Sequence, residues 1–123
     1  MNELAAFDQS VFDLLKSELG AEDTAEVLRT FLADTGRKIQ ICAASGFDRT
    51  LVKREAHAIK SSAAAFGFME LSDHARSIEG QVIAMTTQQM QDAIQALQDL
   101  FERTSGFARS VLLAPEVGIA RWK

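Results

Sequence analysis

Apolar residues recur along most of this chain at steps of three and four, which places them on one side of an α-helix. Three segments show such a stripe, and a fourth continues it towards the C-terminus. The stripes consist of Leu28, Phe31, Leu32, Ile39 and Cys42; of Val52, Ala56, Ile59, Ala63 and Phe66; of Leu71, Ala75, Ile78, Val82 and Met85; and of Met90, Ile94, Leu97, Phe101, Ala108 and Val111. Each stripe predicts an amphipathic helix with one buried face.

Residues that favour helix ends separate these segments. The N-cap candidates are Asp8, Asp48 and Thr86, the last with Gln89 in capping-box spacing, and the stop signals are Gly20, Gly46 and Gly67. The predicted helices cover about residues 8–19, 23–45, 48–66, 68–85 and 87–113. Residues 1–113 are therefore predicted to form one domain, followed by a C-terminal tail over residues 114–123.

The connections between these helices are only a few residues long, and the single proline, Pro115, comes after all of them. Long helices joined by short connections pack side by side in opposite directions. The sequence therefore predicts an all-α fold, an antiparallel four-helix bundle with up-down-up-down topology and a short N-terminal helix that caps one end.

Composition and charge exclude several classes of function. The chain has 123 residues, enough for one domain, and a net charge of −4, which lacks the basic excess that nucleic-acid binding needs. Its one cysteine, Cys42, cannot form an intramolecular disulfide and falls on a core stripe. No apolar run approaches the roughly 20 residues of a membrane span. We therefore expect a cytoplasmic protein that binds neither nucleic acid nor membrane.

Polar and small side chains occupy a second face of the third predicted helix, beside its buried stripe. This face, called here the His57 row, consists of Lys53, His57, Lys60, Ser61 and Ala64. It places an imidazole between two ammonium groups, with small side chains beyond. Imidazole is a nucleophile near neutral pH, and the lysines can balance the charge of a phosphoryl group attached to it.

The residues around this row resemble a known family. The stretch AHAIKSSAAAFGFMEL at residues 56–71, followed by an Ile-Glu pair at residues 78–79, resembles the histidine-containing phosphotransfer (HPt) domains of two-component phosphorelays. The resemblance covers roughly residues 1–110. It implies that His57 is phosphorylated, that Lys60 contacts the phosphoryl group, and that Gly67 allows the turn into the next helix.

The sequence departs from the family pattern at Ser61, where these domains usually have glycine. The added hydroxymethyl group is expected to change the fit of a partner and to leave the site in place. By the same resemblance, Glu79 is expected to accept a hydrogen bond from His57 or Lys60. Lys53, Ser61, Ala64 and Phe68 are expected to support partner docking, although Phe68 suits the core equally well.

The function implied by the resemblance is that of a phosphorelay intermediate. Its partners would be the receiver domain of a response regulator and a sensor or hybrid histidine kinase. The chain needs no cofactor or metal of its own, since Mg²⁺ would bind to the receiver, and we expect a monomer. Autokinase activity is not expected because the sequence has no glycine-rich nucleotide loop.

Two other interpretations stay open at this point. The chain could be a helical adaptor that docks receiver or kinase domains without chemistry, or the N-terminal histidine domain of a chemotaxis-type kinase. The start at Met1 favours a free-standing module. His74 lies outside the motif and is expected to be an ordinary surface residue. Residues 37–60 carry six basic and two acidic side chains, an excess that suits an acidic protein pocket.

Overall fold

Five α-helices make up most of residues 6–113, the part of the chain that this computed structural model describes. They span Gln9–Leu19 (α1), Ala21–Ala43 (α2), Arg49–Phe66 (α3), Met69–Gln81 (α4) and Thr87–Phe107 (α5). The described residues contain no β-strand, only an isolated bridge between Phe7 and Phe68. The prediction of an all-α fold is confirmed. The predicted tail, residues 114–123, lies outside the described residues.

The predicted N-caps all form. The Asp8 carboxylate accepts hydrogen bonds from the backbone N–H groups at the start of α1, and Asp48 does the same for α3. Thr86 and Gln89 form the reciprocal capping box that begins α5. These side chains satisfy donors that a helix N-terminus otherwise leaves unpaired, so the local sequence sets where α1, α3 and α5 begin.

Two helices differ from the predicted ones near their C-termini. The chain leaves α4 after Gln81 and forms a 3₁₀ turn over Val82–Ala84, where helix to residue 85 was predicted. After α5 the backbone widens into a π-helix over Ala108–Leu113. This wider turn shifts the stripe, so that Leu113 is buried and Val111 is exposed. The expectation that Val111 belongs to the core is therefore wrong.

The core lies where the stripes of α2 and α3 predicted it. All ten residues of those two stripes are buried, and so are the first four of the α4 stripe. At the end of α3 the rings of Phe31, Phe66 and Phe68 pack together, with centroids between 4.9 and 6.2 Å apart. Phe68 has no exposed surface. The expectation that it supports docking is therefore wrong, because its ring fills the core.

A tight turn at Gly67 joins α3 to α4. Gly67 has a φ of +90°, and a Cβ atom at this position would lie 2.5 Å from the backbone oxygen of Asp8. The Asp8 N–H donates to the Gly67 carbonyl at 2.8 Å, which ties the start of α1 to the turn. After the turn, α4 packs along α3. This pairing places the far end of α4 beside the His57 row.

No helix within residues 6–113 has the combination of length and hydropathy that a membrane crossing requires.

Candidate functional site

His57 lies in the middle of α3 with its ring directed outward. Its side chain is 62% exposed, while the α3 residues on either side of it in the core stripe, Ala56 and Ile59, are buried. Lys53 and Ser61 are exposed, and Lys60 and Ala64 are half-buried. The row that the spacing predicted is therefore a surface that another protein can reach.

Glu79 on α4 connects this row to the neighbouring helix. One carboxylate oxygen, Oε2, lies 2.7 Å from His57 Nδ1, and the other, Oε1, lies 2.7 Å from Lys60 Nζ. The backbone oxygen of the same residue accepts a hydrogen bond from Lys53 Nζ at 2.9 Å. Three members of the row thus contact one residue of α4. The family resemblance predicted a hydrogen bond from His57 or Lys60 to Glu79. In the structure, Glu79 contacts both side chains.

These contacts settle which nitrogen of His57 is free. An ionised carboxylate only accepts hydrogen bonds, so Nδ1 of His57 must carry the proton that points to Glu79. In the neutral ring the other nitrogen, Nε2, then has an unshared electron pair. The hydrogen bond from Lys60, and after it the one from His57, lowers the pKa of Glu79. The carboxylate is therefore charged at neutral pH, and the nitrogen of His57 that keeps an unshared electron pair is Nε2.

A hydrogen bond from a buried serine hydroxyl on α4 to the backbone of α3 fixes the position of one helix along the other. Ser72 is fully buried on α4, and its Oγ donates to the backbone oxygen of Lys60 at 2.9 Å. The Lys60 side chain is 26% exposed, so most of it is shielded from solvent. Ser72 sits within the apolar face of α4, and no spacing rule singles it out. Sequence reasoning therefore missed it, along with the contact between Lys53 and the Glu79 carbonyl.

Most of the basic excess in residues 37–60 is compensated by nearby acids. The ion pairs are Arg37–Asp34, Lys38–Asp34, Lys38–Glu55 and Arg54–Glu55. Lys60 is paired with Glu79. Lys53 differs from these residues because it makes no ion pair with any residue of the described range. The positive charge that the row offers to a partner is therefore centred on Lys53.

The second histidine of the chain, His74, and its one cysteine, Cys42, are not part of the His57 row. His74 is half-buried, and its Nε2 lies 3.3 Å from the Ala93 carbonyl on α5. Cys42 is buried in the core, where desolvation, and to a lesser extent Glu55, raises the pKa of its thiol to about 11. Within residues 6–113 no three His, Cys, Asp or Glu side chains come together as metal ligands would. The chemistry-bearing groups that do meet are His57, Lys60 and Glu79.

Gly67 belongs to the fold that supports the site. It is buried and has the left-handed conformation that ends α3, as the resemblance implied for the turn. The row itself ends before it, in the small side chains of Ser61 and Ala64. The hydroxyl of Ser61 lies on the exposed surface one turn after His57.

One of three comparisons with known proteins gave a match. Residues 11–107 match the family model of the Hpt domain, and this range contains the whole His57 row and Glu79. Neither the curated proteins nor the solved structures gave a significant match. The family match covers more than half of the chain, and it spans α2, α3, α4 and α5 completely. The chain therefore belongs to the Hpt domain family, whose members carry phosphoryl groups in two-component phosphorelays.

Proposed function

We propose that this chain is a phosphorelay intermediate in which His57 accepts a phosphoryl group from a receiver-domain aspartate and passes it to an aspartate of a response regulator. The observation that supports this most directly is the exposed imidazole of His57, held through Nδ1 by Glu79. That contact leaves the nucleophilic nitrogen, Nε2, on the accessible side. Hpt domains interact with receiver and kinase domains, and the row offers them such a surface.

From this chain, the proposed transfer step uses the imidazole of His57 and the carboxylate of Glu79. The electron pair of Nε2 attacks phosphorus, a nitrogen–phosphorus bond forms, and the bond from phosphorus to the aspartate oxygen breaks. The electron pair of the broken bond leaves on the aspartate carboxylate. Positive charge develops on the imidazole ring, and the negative charge of Glu79, whose carboxylate accepts the hydrogen bond from Nδ1, balances it. The second transfer is the reverse of this step, with another aspartate as the nucleophile.

Lys60 has a supporting role in this proposal. Its ammonium group is held at 2.7 Å from Glu79 Oε1, on the same side of α3 as His57. A phosphoryl group on Nε2 brings negative charge beside it, and the lysine offsets part of that charge. Mg²⁺ and the acidic residues that bind it would belong to the receiver.

Further parts of the proposal stay predictions. We propose that α2 to α5 form an antiparallel up-down-up-down bundle, capped by α1. We also propose that the protein acts as a monomer in the cytoplasm, without autokinase activity and without a cofactor of its own. Its upstream partner would be a sensor or hybrid histidine kinase that carries a receiver.

Incubation with a panel of phosphorylated receiver domains tests the central proposal. Wild type should acquire a label that is stable to alkali and labile to acid, as a phosphohistidine is. His57→Gln should acquire none, while His74→Gln, which removes the other histidine of the chain, should be labelled like wild type. Labelling of His57→Gln, or no labelling of folded wild type by any receiver, would rule the proposal out.

Ser61 favours a second candidate, a non-catalytic adaptor that uses the same face only for docking. The family usually has glycine there, and the exposed hydroxymethyl group changes the surface that a receiver would cover. An adaptor would bind receivers with equal affinity whether or not His57 is replaced, and neither form would be labelled. The N-terminal domain of a chemotaxis-type kinase would instead be labelled by a kinase domain and ATP, without a receiver.

A further inference from the structure

We propose that Ser72 is a positioning residue for phosphoryl transfer, because its buried hydroxyl sets the place of the Glu79 carboxylate beside the ring of His57. This inference rests on the proposed function and adds to it a residue that is closed to solvent. Ser72 acts through Glu79 and takes no part in bond making. It helps to decide which nitrogen of His57 carries the proton and which one keeps the electron pair.

The Ser72 contact is a short and inflexible link between two helices. Its Oγ donates to the Lys60 backbone oxygen at 2.9 Å. Ser72 is 1% exposed, so bulk water has no access to this hydrogen bond. A serine side chain places its oxygen by one torsion with three staggered positions, and a hydrogen bond weakens steeply outside its normal distance and angle. The contact therefore allows little sliding of α4 along α3.

A second contact reports the same alignment of the two helices and is more tolerant of movement. Lys53 Nζ donates to the Glu79 backbone oxygen at 2.9 Å. Lys53 precedes Lys60 by seven residues on α3, and Glu79 follows Ser72 by seven residues on α4, so both contacts belong to one alignment. The lysine is exposed, and its flexible four-carbon stem can follow a shift of the helix. The inflexible member of the two links is therefore Ser72.

The position of Glu79 follows from that of Ser72. Seven residues of α-helix correspond to about two turns and about 10.5 Å, so the two side chains leave α4 on nearly the same side. Glu79 makes two contacts at once, with Oε2 2.7 Å from His57 Nδ1 and Oε1 2.7 Å from Lys60 Nζ. A slip of one residue along the axis moves Glu79 by about 1.5 Å, which is enough to break the hydrogen bond to the ring.

The consequence for transfer lies in the tautomer of His57. While Glu79 holds the proton on Nδ1, the exposed nitrogen Nε2 keeps the electron pair that attacks phosphorus. Without that acceptor both neutral tautomers are populated, and a ring with its proton on Nε2 has no electron pair there. Loss of the Ser72 hydroxyl should therefore lower the rate of transfer. It should leave receiver affinity unchanged, since Ser72 is not part of the surface.

A buried threonine on α5 provides the matched control. Thr104 is 1% exposed, and its Oγ1 donates to the Leu100 backbone oxygen at 2.9 Å. The hydrogen-bond length and the burial match those of Ser72. Both partners lie on α5, however, so this hydrogen bond does not link two helices. Thr104→Val removes a buried hydroxyl, as Ser72→Ala does, and leaves the contact between α3 and α4 in place.

The first experiment needs no partner. The ¹⁵N chemical shifts of the His57 ring, measured in alkaline solution where imidazole is neutral, report which nitrogen carries the proton. Wild type and Thr104→Val should show the form protonated on Nδ1. In Ser72→Ala the two nitrogen shifts should move towards each other as the other tautomer becomes populated. Glu79→Ala should show a larger change in the same direction. Thermal unfolding checks that each variant is folded.

The second experiment measures single-turnover transfer from a phosphorylated receiver. At saturating receiver, Ser72→Ala should be slower than wild type by about fivefold, with a KM within about twofold. Thr104→Val should transfer within about twofold of the wild-type rate. Because Ser72 acts through Glu79, adding Ser72→Ala to Glu79→Ala should change the rate by less than about twofold.

The outcomes separate the two proposals. A wild-type tautomer in Ser72→Ala, equal slowing in Thr104→Val, or a fivefold loss that persists in the Glu79→Ala background would overturn the role of Ser72 and leave the relay function standing. If folded wild type accepts no label from any receiver, the relay function fails, and the role of Ser72 in transfer fails with it. The ring spectra then still decide whether Ser72 places Glu79.

Discussion

Gly67 at the turn and His57 at the centre of the row are ten residues apart in the chain, and different forces hold the turn and the row in place. The turn is fixed by steric fit, since a Cβ atom at Gly67 would overlap the Asp8 backbone and the three neighbouring phenylalanine rings are packed together. In the row, Lys53, His57 and Lys60 are held by hydrogen bonds to one glutamate on α4. The comparison indicates that the fold and the chemistry of this domain can be altered separately.

The largest expected effect is a loss of stability on substitution at the Gly67 turn. Gly67→Ala combines a left-handed φ with an overlap, so we expect the free energy of unfolding to fall by about 2–4 kcal/mol. Urea denaturation measures the loss. Gly46→Ala is the matched control, because Gly46 has a φ of +69° and open space around its Cβ position. It should lose only about 1 kcal/mol. Equal losses in the two variants would show that the overlap is absent.

A smaller effect is expected in the row. Lys60→Ala removes the charge beside His57, and we expect phosphoryl transfer at saturating receiver to slow about tenfold, with the fold intact. Lys53→Ala is the comparison on the other side of His57. Because Lys53 acts on the approach of the receiver, its loss should raise KM and weaken the salt dependence of transfer. Unchanged transfer in Lys60→Ala would refute the role given to this lysine.

The smallest effect is a dependence of stability on pH. Lys60 and then His57 lower the pKa of Glu79, so the contribution of its charged form to stability is present at neutral pH and is lost as the pH falls through the lowered pKa. The difference in unfolding free energy between wild type and Glu79→Gln should therefore shrink in acid, below the ordinary glutamate value of 4.5. Denaturant titrations of both proteins at several pH values measure it. A difference that stays constant in acid would contradict this assignment.

The predictions made from the sequence were confirmed for features that depend only on neighbouring residues. The caps at Asp8, Asp48 and Thr86 depend on neighbouring residues of the same segment, and they all form. It failed where the backbone leaves regular helix. The π-helical end of α5 moves Val111 out to solvent, and the position of Phe68 after α3 gave no indication of whether its ring points into the core or out.

The candidate site divides in the same way. The spacing of Lys53, His57, Lys60, Ser61 and Ala64 fixes a common face because they share one helix, so the sequence was sufficient to predict the row. The hydrogen bonds of Glu79 join residues 22 positions apart in the chain, and the Ser72 contact with the Lys60 carbonyl joins residues 12 apart. Such contacts depend on how α4 is rotated and shifted along α3, which spacing does not specify.

The sequence by itself determined that this protein is helical, which faces of its helices are buried, and that an imidazole lies among lysines on an outer face. Periodicity and capping are properties of short segments, so they can be read without knowing what a segment packs against. Only the tertiary structure decided that Nε2 is the free nitrogen of His57, and that Lys53 is the lysine of the row without an ion pair among the described residues. Each of these depends on the register between two helices, which is set by the packing of side chains in the core and at the Gly67 turn.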